Sequence, residues 1–120
     1  MLKQKAMDIL ARGLIAGSVL VNGNMATAQV MTAGVILEKM KSDEQFAYIN
    51  GIVEGLAYAR FRKDTIAAGD KDERGSSCIQ KWYYTGDGTT HASIVATFRR
   101  YPDQMPATII ALMVKQECGE

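Results

Sequence analysis

The sequence predicts an all-α protein, a compact bundle of four to five helices with one disulfide. Three observations carry this. Apolar residues recur at helical spacing through most of residues 32–118, and polar or glycine-containing turns separate those runs. No Val/Ile/Thr alternation persists between turn residues, so strand signals are poor throughout. Finally, the only two cysteines, Cys78 and Cys118, fall in different predicted helices, where they can staple the bundle.

The helices follow a segment that reads as an export signal, residues 1–28. Lys3, Lys5 and Arg12 give it a positive start, and Gly13 to Val21 is an uncharged, mostly apolar run. Asn22, Gly23 and Asn24 break that run, and Ala26-Thr27-Ala28 supplies the small residues a signal peptidase reads, predicting a cut before Gln29. The run is short of the roughly 20 apolar residues a membrane span needs. The predicted mature protein is then a single domain, residues 29–120, and its expected location is periplasmic or secreted.

The first helical segment covers Thr32 to Met40, with Val35, Ile36 and Met40 on one side. Ser42 opens a stronger helix. With Gln45 it forms the pattern of a capping box, and Asp43 and Glu44 suit the positive helix end. Phe46, Ile49, Val53 and Leu56 follow as a core stripe widened by Ile52 and Ala57. Gly51 and Gly55, one turn apart, each cost about 1 kcal/mol of helix propensity, so they are expected to let another helix approach closely. Glu54, between core positions, is either solvated or paired with a cation such as Arg60. Arg60, Arg62 and Lys63 load the end of this helix with positive charge.

Ala68 to Ser76 is read as a charged loop, followed by a shorter helix from about Ser77 to Tyr84 with Cys78, Ile79 and Trp82. Thr85-Gly86-Asp87-Gly88-Thr89 is the clearest turn in the chain. The next helix, with Thr89 or Thr90 as its N-cap, turns Ile94, Val95 and Phe98 inward and ends at Tyr101-Pro102, because the residue before proline resists helix. Pro106 belongs in the first turn of a last helix, which carries Ile109, Ile110, Met113, Val114 and Cys118 and stops at Gly119.

Charge and cysteine usage bound the function. Removing the leader moves the net charge from +1 to −1, which argues against nucleic acid and gives no reason for stable membrane association after cleavage. In an oxidising compartment Cys78 and Cys118 read as a structural disulfide, contributing roughly 4 kcal/mol on the chain-entropy model. Two thiols without further ligands make no metal site, and no cofactor motif is present. Asp70, Asp72 and Gly75 match the start of a calcium loop, but Arg74 and Lys81 stand where oxygen ligands are needed. His91 has no nucleophile nearby in sequence, so no catalytic residue is assigned and the chain is not expected to be an enzyme.

One ordered set of residues adds to this reading. Phe46-Ala47-Tyr48-Ile49-Asn50-Gly51, then Glu54-Gly55-Leu56-Ala57, then Cys78 precede an aliphatic-rich helix. Tyr101-Pro102, Pro106 and a final Lys115-Gln116-Glu117-Cys118 complete the order. This arrangement resembles the Rap/Tai family of immunity proteins, which bacteria export to the periplasm against type VI secretion amidase effectors. Many members carry further cysteines where this chain has Met40 and Ala47.

The resemblance implies a small, stapled helical inhibitor whose protruding loop sterically denies a peptidoglycan amidase its substrate. The loop it points to is Gly86, Asp87, Gly88, Thr89, Thr90 and His91. A homodimer stays open. The alternative is a small periplasmic stress chaperone, or another non-catalytic exported helical protein.

Overall fold

A computed structural model describes residues 30–120, and the leader predicted over 1–28 lies outside them. Among the described residues there are five helices and no strand: α1 Ala33–Lys39, α2 Ser42–Ala68, α3 Arg74–Tyr84, α4 Thr89–Arg100 and α5 Pro106–Cys118. The longest, α2, packs along α3 and touches α5, while α1 lies on α4 and α5 contacts α3 and α4. Phe98, Ile36, Ile49, Ile79, Ile94, Ile110, Val53 and Pro106 are fully buried where these helices meet. Every helix supplies at least one of them.

Helix α1 begins at Thr32, whose Oγ1 accepts from the Val35 N–H. Its next free N–H groups are satisfied from outside. Ala33 donates to the Gln104 carbonyl and Gly34 to the Pro102 carbonyl, both at 2.8 Å. Glycine suits that approach, because a Cβ at position 34 would lie 3.0 Å from Pro102 Cβ and Pro102 would have to give way by a few tenths of an ångström.

The predicted capping box does not form. Lys41 is the N-cap of α2 without a side-chain cap bond, and Ser42 is already helical. The Gln45 amide instead donates to the Met40 carbonyl at 2.9 Å and the Leu37 carbonyl at 3.3 Å. It answers the unpaired end of α1, which a capping box would have left open.

Helix α2 is 27 residues long and ends on Gly69, whose φ of 71° is the left-handed stop of a helix C-terminus. Ile49, Val53 and Ala57 are its buried line, with Ile52 and Leu56 packed beside them. Three expectations for this helix are corrected. Phe46 is 51% exposed, because it sits ahead of the stretch covered by other helices. Gly51 and Gly55 are exposed, and a Cβ at either would meet nothing within 4 Å. Arg60, Arg62 and Lys63 lie well before the helix end, whose last turn holds no basic residue.

The close approach occurs at Gly75 instead. A Cβ there would lie 2.5 Å from Arg60 Nε and 2.6 Å from Asp64 Oδ2. These two groups form a largely covered ion pair at 2.8 Å, and Arg60 Nη1 also donates to the Gly119 carbonyl at 2.9 Å. One arginine thus links α2, the start of α3 and the end of α5.

Helix α3 starts three residues earlier than the sequence predicts. The Asp72 carboxylate accepts the Arg74 N–H at 3.1 Å, an Asx turn that sets the chain for helix, while Thr65 Oγ1 holds the Asp72 N–H. Arg74 Nη2 closes the turn on Asp72 Oδ2 at 2.8 Å, and these contacts pull the Asp72 carboxyl down to about 2. The calcium-like positions are therefore an arginine-locked helix start. Helix α4 ends where expected, at Tyr101, and α5 opens at Pro106 as expected. The Cys78–Cys118 disulfide joins α3 to α5 across 40 residues of sequence.

Candidate partner-binding surface

The turn between α3 and α4 is the most unusual backbone in the described residues. Gly86, Asp87 and Gly88 are left-handed in succession, with φ of 107°, 51° and 79°. Glycine adopts this region freely, but Asp87 pays a steric cost, eased by its short polar side chain. The result is a sharp, exposed projection: residues 84–89 are all open to solvent.

Both ends of the projection are pinned. The Thr85 N–H and hydroxyl donate to the Lys81 carbonyl at the end of α3. Thr89 donates its N–H to the Gly86 carbonyl at 2.9 Å, and the Thr90 hydroxyl reaches back to the Trp82 carbonyl at 2.7 Å. The N-cap of α4 is Gly88 rather than Thr89 or Thr90, because Thr90 is committed to α3. These bonds tie both ends of the projection to the last turn of α3.

The six residues assigned to this site from sequence divide into a tip and a base. Gly86, Asp87, Gly88 and Thr89 are presented outward. Thr90 and His91 turn toward the helices. The His91 ring packs on Phe46 with centroids 5.2 Å apart, and its Nδ1 is buried without a hydrogen-bond partner. Burial pushes the imidazole below its usual value, favouring the neutral ring.

Two exposed aromatic residues flank the projection, and neither was assigned to it from sequence. Phe46 leans on its base, and Tyr84, 52% exposed, precedes it. The Tyr84 hydroxyl lies 2.6 Å from both Glu54 Oε1 and Asn50 Oδ1. With a single proton, the hydroxyl gives it to the carboxylate, and Asn50 complements it when its amide is turned to present Nδ2. The Glu54 bond is the main reason the phenol is pushed up to about 12. Glu54 is therefore neither free nor paired with Arg60. Phe46 at a helical core spacing gave no signal of exposure, and Tyr84 had none beyond its place beside the turn.

Other concave surfaces lie elsewhere. An open hollow of about 980 Å³ runs past Asp72, Arg74, Lys81, Trp82 and Glu117, and a groove of about 530 Å³ lies between α4 and α5 at Tyr101, Gln104 and Leu112. Among the described residues no three His, Cys, Asp or Glu side chains gather to hold a metal ion, and no helix is long and apolar enough to cross a membrane. Searches against protein-family models, curated proteins and solved structures return no match to this chain.

Proposed function

We propose that the protein is an exported, periplasmic inhibitor of the Rap/Tai immunity type, which uses the 86–91 projection to block a peptidoglycan amidase. The observation that carries this reading is the left-handed Gly86-Asp87-Gly88 tip, exposed and pinned at both ends. Such a shape enters a groove without reordering, and the flanking Phe46 and Tyr84 provide rigid aromatic area around it. The mechanism is steric exclusion. Asp87 supplies a polar contact to the groove, and His91 holds the projection's base against Phe46.

The test is binding to a cognate amidase. Asp87→Ala is expected to weaken binding at least about tenfold, and His91→Ala to weaken it less while lowering stability. Unchanged affinity in both variants would remove the projection from the interface.

A second reading, a small stress chaperone of the same compartment, draws on His91. A half-buried neutral imidazole whose Nδ1 has no partner takes up a proton as the medium acidifies, which on this reading loosens the corner it packs. This reading expects near-UV dichroism to be lost and client binding gained at low pH, whereas an inhibitor stays folded.

A further inference from the structure

The groove of about 530 Å³ between α4 and α5 lies at the opposite end of α4 from the 86–91 projection. Its floor is apolar. Ile109 is buried there, Met113 is half-buried, and Leu112, which also lines it, is 59% exposed. The turn from α4 to α5 closes one end with Tyr101 and Gln104. Ala33 and Gly34 hold that turn by donating to the Gln104 and Pro102 carbonyls.

Of the residues lining the groove, Arg100 alone carries a formal charge. It has no ion-pair partner among the described residues. Its guanidinium carbon lies 5.5 Å from the centre of the Tyr101 ring, a cation–π contact that sets the charge beside the closed end. Asp103, in the closing turn, does not line the groove. The other polar side chains of the walls, among them Gln104, Thr108 and Gln116, are neutral.

We propose that this groove binds the carboxyl end of an extended peptide with apolar side chains. Charge selects the ligand's end. A single unpaired guanidinium beside a closed end matches a single anion at a chain terminus, and a carboxylate meets it with two parallel hydrogen bonds. The walls select a peptide over an acyl chain. Glutamine and threonine groups can pair with backbone amides, whereas against a hydrocarbon tail they would lose water without compensation.

The dimensions set the length. From Thr108 to Gln116 the α5 wall runs about 12 Å at about 1.5 Å per residue, the reach of about three to four extended residues. Alternate side chains of such a peptide point the same way, so every second one meets the floor of Ile109 and Met113. None of these residues belongs to the 86–91 projection, so the proposal does not rest on the inhibitor reading.

Nuclear magnetic resonance titration of labelled protein, purified from expression of the full chain, tests the proposal. The probe is N-acetyl-Ala-Leu-Ala-Leu with a free carboxyl end. Amide shifts are expected at the groove residues between 97 and 116, with a dissociation constant between about 10 μM and 1 mM. The same peptide ending in a carboxamide is expected to bind about tenfold more weakly. Arg100→Gln is expected to weaken the acid about tenfold and the carboxamide less than about twofold. Leu112→Ala is expected to weaken both about threefold or more. Both substitutions fall at exposed positions, and the spectrum of each free variant reports that the fold is kept.

No shift at several millimolar peptide overturns the proposal, as do shifts that map outside the groove. Equal binding of acid and carboxamide overturns it by removing the carboxylate site. Laurate that shifts the groove residues where the peptide shifts none overturns it in favour of an acyl chain.

Discussion

Gly75 and Gly51 look alike in the sequence and differ in space. A methyl group at position 75 collides with the Arg60–Asp64 ion pair, so Gly75→Ala is expected to cost about 1–3 kcal/mol in urea unfolding. At position 51 the same methyl meets nothing, so Gly51→Ala, measured at dilute concentration, is expected to stabilise by about 0.5–1 kcal/mol through helix propensity. Asp87, at a φ of 51°, belongs to a third class. Asp87→Gly relieves its strain and should raise stability by up to about 1 kcal/mol, offset by the added freedom of the unfolded chain.

Two further residues make stability depend on pH, both in the same direction. Asp72 titrates near 2 in the fold against an ordinary 3.8, so its contribution is complete above the unfolded value and is lost as pH falls through 4 toward 2. Asp72→Asn should flatten that part of the curve. His91 is held below 6.5 by burial, so the unfolded chain binds its proton first and stability falls as pH drops beneath 6.5. His91→Gln should abolish this slope. Denaturant titrations at stepped pH separate the two, and a wild-type curve flat from pH 7 to 5 would contradict the histidine assignment.

At the scale of elements, corners hold more information than helix interiors. Gln45 satisfies two carbonyls at the end of α1, so Gln45→Leu should cost about 1–3 kcal/mol by leaving them unpaired. The loss should appear as faster amide exchange in α1. All five helices were legible in the sequence, because Pro106, Tyr101-Pro102 and the apolar spacing act locally.

What was not legible depended on contacts between elements. The start of α3 was missed because Asp72 turns the chain by binding Arg74 two residues on, and a charged run reads as solvated loop. The spacing of Gly51 and Gly55 predicts a close packing site that the structure does not show, because spacing places residues on one side of a helix without saying what faces that side. The projection at 86–88 was legible because glycines on both sides of an aspartate demand a tight turn. Its flanks were not, since Phe46 sits at core spacing and emerges only because the bundle ends beneath it.

For the whole molecule, the disulfide and Arg60 act at one place, where α5 ends against α3 and α2. Paired replacement of Cys78 and Cys118 by serine should lower stability by about 2–5 kcal/mol. Reductant should reproduce that loss in the wild type and add nothing to the variant.

The position of Cys118 also sets an order in time. A chain emerges N-terminus first, from a ribosome or through a membrane pore, so Cys78 appears 40 residues before the sulfur it must meet. During that interval no second cysteine among these 120 residues has emerged to pair with it. Cys78 and Cys118 can pair internally in one way only, and the hazard for the newborn protein is capture by a foreign thiol. Closure waits until Cys118 has emerged, so a chain cut just short of Cys118 would keep every other helix-forming signal and never acquire its latch.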